Sequence, residues 1–263
     1  ADDRDNIPTA DKVILIIEDD TGFAKALLDF TRTKGYKGIV RVRGDTGVEM
    51  AIAFKPAGIL LDVQLPGKHG FQVIDELKNN PATRPIPVHI ISSFDVKKES
   101  ISKGAIDFIP KPLTSEKINS VFEKLEYVLN RHSKKVLIIE DNSHHAKALS
   151  YYLGTNHVNA AISESPEESL DVLRQEQVDC VILDMGIPDQ NAYEVLDAIK
   201  SHKDMEDIPI IVFTGKNLSI NEEFRIKQYA DSIVIKTAHS YRRILDELSI
   251  FLHLLDAQEA GSG

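Results

Sequence analysis

Tryptophan is missing from the 263 residues, aromatics make up only 6%, and there is one cysteine. A single thiol cannot close an internal disulfide, which fits a reducing compartment and makes the cytoplasm the expected location. No apolar run reaches the ~18–20 residues of a membrane span, so no membrane contact is expected. The N-terminal Ala1-Asp2-Asp3-Arg4-Asp5-Asn6 is acidic and polar, the opposite of a signal peptide. Basic clusters are scarce too: no run of lysine or arginine exceeds two residues. A duplex-binding domain would show a basic face, so nucleic acid is not an expected direct partner. Glycine-rich phosphate cradles are also lacking. Glu18-Asp19-Asp20-Thr21-Gly22 and Glu140-Asp141-Asn142-Ser143 present acids where a nucleotide phosphate would need amide donors.

What is present suffices for two ordinary cores. The chain is 42% hydrophobic and long enough for two domains of about 120 residues. Its net charge of −10 is carried wholly by the second half: residues 1–131 hold 19 basic and 19 acidic side chains, residues 132–263 hold 12 and 22. Cys180 lies inside an apolar run and reads as a buried core thiol.

The chain also repeats itself at an offset of 122 residues. Glu18-Asp19 closes the apolar run 13–17 and Glu140-Asp141 closes 136–139. Asp62 ends 58–61 and Asp184 ends 180–183. Ser92 ends 88–91 and Thr214 ends 210–213. A fourth pair, Lys111 and Lys236, is 125 apart, so the first copy is three residues shorter between hydroxyl and lysine. Duplicated core residues would signal only a duplicated fold; duplicated polar residues at strand ends signal a duplicated site.

Apolar runs alternate with helix-like segments in both copies, which argues for a parallel sheet covered on both faces. Strands are expected near 12–17, 37–42, 58–61, 87–91 and 106–109, with helices near 21–34, 45–54, 69–79, 96–103 and 115–131. In the second copy the strands fall near 135–139, 157–162, 179–183, 209–213 and 232–235. The helices there fall near 143–153, 166–176, 191–202, 219–229 and 239–255. The expected organisation is an N-terminal linker (1–11), domains over 12–131 and 132–256, and a C-terminal tail (257–263). The linker Arg131-His132-Ser133-Lys134 is short enough to predict a fixed or narrowly hinged pair. Ser165-Pro166-Glu167-Glu168 reads as a capping box, and Gly35 and Gly154 as left-handed helix C-caps. Ile118, Val121, Phe122, Leu125, Val128 and Leu129 keep a 3.6-residue apolar stripe. His144-His145 read as solvent-facing.

In an open parallel sheet, ligands bind at the carboxyl ends of the strands. That rule brings Glu18, Asp19, Asp62, Ser92 and Lys111 together, and their counterparts Glu140, Asp141, Asp184, Thr214 and Lys236. At ~4 Å and an effective dielectric of ~20, each carboxylate pair costs roughly 4 kcal/mol. Either one acid protonates or a divalent cation binds; Mg2+ prefers hard oxygen ligands and leaves positions for water and phosphate. Acids, one hydroxyl and one lysine suit a phosphoryl group. The acceptor is then a carboxylate, Asp62 or Asp184, each followed by a loop with proline (Pro66, Pro188).

These residues match a known pattern. Each half resembles the receiver domains of two-component signalling systems. The stretches that carry the likeness are Ile16-Ile17-Glu18-Asp19-Asp20, Leu60 to Pro66 with Gly70, Ile90-Ile91-Ser92-Ser93, and Gly104 to Pro112. In the second half they are Ile138 to Asp141, Ile182 to Pro188, Val212 to Gly215, and Ile233 to Lys236. The resemblance implies two flavodoxin-like (βα)5 doubly wound domains, sheet order 2-1-3-4-5, Mg2+ dependence, and phosphotransfer from a partner's phosphohistidine to aspartate. It implies that Asp19, Asp62 and the Gln64 carbonyl ligate Mg2+ with Glu18 acting through water, and likewise Asp141, Asp184 and the Gly186 carbonyl with Glu140. Ser92 and Thr214 would be switch hydroxyls, Phe108 a rotamer switch, and Lys111 and Lys236 the phosphoryl partners. The expected partner is a histidine kinase or histidine phosphotransfer domain. A receiver array of a hybrid sensor histidine kinase is the expected parent, with the kinase outside this chain; a stand-alone tandem response regulator is the alternative.

Each copy departs from the family pattern. The 19-residue spacing from Ser92 to Lys111, against 22 in the second copy, predicts a short or displaced fourth helix and an altered dimer face in the first. Lys111-Pro112 offers the bond that is commonly cis in the family. The second copy has Ile233 for the aromatic, Thr237 for the proline, and Ala192 where the first has Gly70. A non-phosphorylated docking scaffold is therefore a competing reading for the second copy. A dehalogenase-like phosphatase needs a second Asp two residues after the nucleophile; Gln64 and Gly186 stand there instead.

Overall fold

The computed structural model describes residues 2–8, 12–130, 134–186 and 189–253. Pro188, the connection 131–133 and the tail 257–263 lie outside the described residues. The chain divides into two compact units, the described residues up to 130 forming the first and 134–252 the second. The first runs β1 (Val13–Ile17), α1 (Thr21–Thr33), β2 (Lys37–Arg41), α2 (Gly47–Phe54), β3 (Gly58–Asp62), α3 (Gly70–Asn79), β4 (Val88–Ser92), α4 (Lys97–Ser102), β5 (Asp107–Pro110) and α5 (Ser115–Asn130). The second runs β6 (Lys134–Ile139), α6 (Ser143–Thr155), β7 (Val158–Ser163), α7 (Pro166–Gln175), β8 (Cys180–Leu183), α8 (Asp189–Ser201), β9 (Ile210–Thr214), α9 (Ile220–Ile226), β10 (Ser232–Ile235) and α10 (Ser240–Leu252).

The sheets are parallel, ordered β2-β1-β3-β4-β5 and β7-β6-β8-β9-β10, the doubly wound (βα)5 arrangement expected of both halves. The central strands β1, β3, β4, β8 and β9 are buried at every residue, as strands covered on both faces must be. In the first unit, Leu15, Ile17, Leu61 and Ile90 face one layer, and Ile14, Ile16, Leu60 and Ile91 the other. The α5 stripe buries Val121, Phe122 and Leu125 against that second layer. Cys180 is fully buried, and burial pushes its thiol up.

The helix ends show where local signals and tertiary register disagree. Gly35 takes the left-handed conformation after α1, at φ 82°. Gly154 does not: α6 continues to Thr155, and the left-handed residue is His157, at φ 61°. The offset explains this, since 35 and 157 are 122 apart. The duplicated register sets the turn, and the glycine has moved three residues into the helix. A Cβ at position 154 would meet nothing within 4 Å. Gly154→Ala is thus expected to stabilise the second unit by about 0.5–1 kcal/mol in urea denaturation, because helical glycine carries an entropic cost that alanine lacks.

The capping box at α7 is half formed. Ser165 Oγ accepts from Glu168 N at 3.2 Å, but the Glu168 carboxylate receives Glu164 N at 3.0 Å rather than the cap amide. The fourth helices are both short, six residues in α4 and seven in α9. The three residues missing from the first unit are lost one each from the loop before α4, from α4 itself and from the loop after it.

The segment 2–8 lies along β2. Gly38 N donates to Asp3 Oδ2 at 2.9 Å and Val40 N to Asp2 Oδ2 at 2.8 Å, while Arg32 holds Asp3 at 2.7 Å. These carboxylates satisfy amides that an open sheet edge would leave bare.

Candidate functional site

Each of Glu18, Asp62, Ser92 and Lys111 is the last residue of its strand or the first after it, so the parallel sheet delivers them to one edge. Glu18 follows β1, Asp62 ends β3, Ser92 ends β4 and Lys111 follows β5. Glu18 and Asp62 are buried, at 1% and 4% exposure, whereas Asp19 is exposed. Lys111 Nζ lies 2.9 Å from Glu18 Oε2 and 3.3 Å from Asp62 Oδ2. Val63 N donates to Asp62 Oδ1 at 2.8 Å and Asp20 N to Glu18 Oε1 at 3.2 Å. The Phe23 ring packs beneath Lys111, its centroid 4.7 Å from Nζ.

The second unit repeats the arrangement more tightly. Lys236 Nζ lies 2.6 Å from Glu140 Oε2 and 2.8 Å from Asp184 Oδ2. Gly186 N donates to Asp184 Oδ1 at 3.0 Å and Asn142 N to Glu140 Oε1 at 3.1 Å. Asp141 is exposed, as Asp19 is.

Burial pushes the Glu18 and Asp62 carboxyls up against the opposing pull of Lys111. It likewise pushes Glu140 up against Lys236. Burial would lower both lysines, but their carboxylate partners more than reverse it. Too many acids therefore share one cation in each nest. In Glu18-Asp19-Asp62 and in Glu140-Asp141-Asp184, one oxygen from each carboxylate lies within 4.8 Å of the others. Glu18 Oε2 is buried without a hydrogen bond of good geometry. Three hard carboxylates in surplus over one lysine fit a small dication such as Mg2+.

The hydroxyls are buried at the ends of β4 and β9. Phe94 N donates to Ser92 Oγ and Lys216 N to Thr214 Oγ1, both at 3.1 Å, so each hydroxyl shapes the loop that follows. The backbone of the lysines is tied to the same strands: Lys111 N donates to Ser92 O and Lys236 N to Thr214 O, each at 2.8 Å. Gln64 and Gly186 are exposed beside the acids. Phe108 is half-buried against the core layer that holds Val96, and Ile233 packs in the corresponding layer of the second unit. Lys111-Pro112 is cis; Lys236-Thr237 is not. His144 and His145 are exposed at the start of α6.

The structure explains the Gly70 to Ala192 difference that the sequence shows. Gly70 opens α3 beside Asp62, and a Cβ there would fall 2.3 Å from the Asp62 carbonyl oxygen. Ala192 is tolerated at the matching position because α8 begins three residues earlier, placing it inside the helix. Gly70→Ala is expected to cost the first unit about 1–3 kcal/mol, since backbone must move to admit the methyl group; thermal denaturation beside Ala192→Gly measures it. Lys78, which was not read from the sequence, braces the other end of α3, away from the site. Its ammonium is buried and donates to Arg84 O at 2.9 Å and Ile86 O at 2.7 Å, and burial pushes it down to about 7. Lys200, 122 residues on, clasps Glu206 O and Ile208 O in the same way. This recurring lysine pair was legible in the 122-residue offset, but it falls inside helices rather than at strand ends.

The response regulator receiver domain profile matches residues 14–123 and again 136–248. The chain belongs to the receiver domain family. It is a tandem of two receivers, the phosphoacceptor type of domain in two-component signalling. Response regulator PleD of Caulobacter vibrioides is 26% identical over 227 residues, covering 75% of this chain and 50% of PleD. Polar-differentiation response regulator DivK of Brucella anthropi is 32% identical over 106 residues, covering 39% of this chain and 86% of DivK. Among solved structures, the receiver domain of sensor histidine kinase PA1611 from Pseudomonas aeruginosa has a magnesium ion coordinated in its active-site cleft. It is 21% identical, covers 46% of this chain and 99% of its own, and superposes with a TM-score of 0.42. The tandem receiver chain spans about half the length of PleD and of CiaR from Streptococcus pneumoniae. No helix among its described residues is long and apolar enough to cross a membrane.

Proposed function

We propose that both receivers accept a phosphoryl group from phosphohistidine, at Asp62 and at Asp184. The observation that carries this reading is the duplicated convergence of two buried carboxylates on one lysine, with a third, exposed carboxylate in reach. A carboxylate oxygen attacks phosphorus, the P–N bond to the donor imidazole breaks, and the imidazole leaves with the bonding pair and takes up a proton. Lys111 and Lys236 are placed to balance charge on the transferred oxygens, and the Ser92 and Thr214 hydroxyls to donate to one of them. The chain thereby supplies positioning and electrostatic stabilisation. Mg2+ would be held by Asp19, Asp62 and the Gln64 carbonyl, and by Asp141, Asp184 and the Gly186 carbonyl, with Glu18 and Glu140 in support. When bound, it neutralises phosphoryl oxygens.

The donor would be a histidine kinase or a histidine phosphotransfer domain. For the parent protein, the likeness to PleD runs over 227 residues and so takes in both receivers. That favours a tandem response regulator over the receiver array of a hybrid histidine kinase.

Incubation with acetyl phosphate and Mg2+, followed by intact-protein mass measurement, tests the reading. Two added phosphoryl groups are expected, one in Asp62→Asn and in Asp184→Asn, and none in the double variant. A single group on Asp62 would make the second domain a docking scaffold; none at all would overturn the proposal.

A further inference from the structure

In the second unit, two side chains link the buried hydroxyl of β9 to the helix that follows it. Thr214 is fully buried, and its Oγ1 accepts from Lys216 N at 3.1 Å. Lys216 Nζ reaches across the loop to Glu222 Oε1, in the first turn of α9, at 2.9 Å. The other oxygen of that carboxylate receives Ser219 N at 2.8 Å and Ser219 Oγ at 2.7 Å, closing a capping box. Three donors therefore converge on one carboxylate. The Ser219 amide leads in holding it down to about 2, so it stays charged near neutral pH.

The first unit differs at both links. Phe94 stands where the second has Lys216, so the same backbone bond, to Ser92 Oγ, leads only to an exposed ring without charge. Val96, the N-cap of α4, makes no side-chain capping bond. The far end of α9 is anchored: Ile226 is fully buried, and Arg225 Cζ lies 3.7 Å from the centre of the Tyr193 ring on α8. Its first turn is open to solvent, with Ile220 87% exposed and Asn221 and Glu223 exposed beside it. A helix anchored at one end and tied at the other to the hydroxyl loop can pivot. Movement of the Thr214 hydroxyl toward a phosphoryl group on Asp184 draws the Lys216 backbone with it, and the ammonium carries the pull to Glu222. Exposed ion pairs contribute little to stability. This one is 39% and 36% exposed, so its use lies in connection rather than in holding the fold.

We infer that the Lys216–Glu222 ion pair couples phosphorylation of Asp184 to the first turn of α9, in place of the aromatic for which Ile233 stands in this receiver. The inference rests on the proposal that Asp184 accepts a phosphoryl group. It gives the two receivers different readouts from the same chemistry.

The full chain carrying Asp62→Asn, which confines the phosphoryl group to Asp184, is treated with acetyl phosphate and Mg2+. Intact-protein mass and two-dimensional amide NMR are recorded on the same samples. One added phosphoryl group is expected, with amide shifts at Asn221, Glu222 and Glu223. Lys216→Met keeps the backbone bond to Thr214 and removes the ammonium. Its mass gain should persist and its thermal stability stay nearly unchanged, while the α9 shifts on phosphorylation fall by about half or more. Lys216→Arg should restore them, because a guanidinium can reach the same carboxylate. Glu222→Gln should match Lys216→Met, and the double variant should lose no more than either alone. Full α9 shifts in Lys216→Met, no α9 shifts in the phosphorylated parent, or no recovery in Lys216→Arg overturn the inference and leave the phosphoacceptor reading intact. Absence of the mass gain overturns both.

Discussion

Lys111→Met is expected to destabilise the first receiver by about 3–5 kcal/mol at neutral pH in the absence of divalent cations. Lys111 is the cation within ion-pair distance of both Glu18 and Asp62, which are almost wholly buried. Without it, two acids remain in a dry pocket with mutual repulsion and little solvent. The pH dependence has a definite sign. Burial already holds both carboxyls above their ordinary values, and loss of the lysine raises them further. Groups raised in the folded state contribute stability that is present below their unfolded pKa and lost as pH rises through the folded one. The variant should therefore approach wild type near pH 4 and fall away from it toward pH 7. Mg2+ should restore part of the difference, because a dication can replace the missing ammonium. Calorimetric scans at several pH values, with the second unit as internal reference, measure this. A variant that unfolds like wild type at neutral pH without Mg2+ would show that the nest is not electrostatically strained.

His89 should make the first receiver the more acid-labile of the two. It sits in β4 between Leu60 of β3 and Asp107 of β5, is 1% exposed, and neither ring nitrogen makes a hydrogen bond of good geometry. Burial pushes its imidazole down to about 4, with Asp107 and the Val121 backbone of α5 opposing the shift and Lys124 adding to it. Between about pH 6.5 and pH 4 the unfolded chain binds a proton that the folded chain does not. Stability must fall across that window, by about 3 kcal/mol in all. Position 211, the counterpart 122 residues on, holds Ile211, which is fully buried. His89→Ile is expected to remove that loss in acid and to stabilise the unit by about 1–3 kcal/mol at neutral pH, since no unsatisfied polar atoms remain. Urea midpoints from pH 7 to pH 4 test both parts; an unchanged pH slope in the variant would assign the acid lability to other groups.

The two cases mark what could be read from the chain. Glu18, Asp62 and Lys111 were identifiable because each ends an apolar run, and a parallel sheet gathers the carboxyl ends of its strands on one edge. His89 also lies in an apolar run, but its burial depends on α5, which packs over it from about 30 residues away in sequence. Phe108 and Ile233 behave likewise: their positions follow from the lysine spacing, whereas their packing partners do not. Lys78 and Lys200 share the 122-residue offset with the site, yet nothing local tells a clasping helical lysine from a solvated one.

The sequence alone determined the alternation of strand and helix and the membership of both polar nests, because hydrophobic period and strand-end position are local properties; the sheet order followed only from the family likeness. Tertiary structure decided that His157 rather than Gly154 takes the left-handed turn, and that Asp2 and Asp3 close the edge of β2. Each of those depends on which distant atoms share a volume, and volume is fixed only when the layers close on one another.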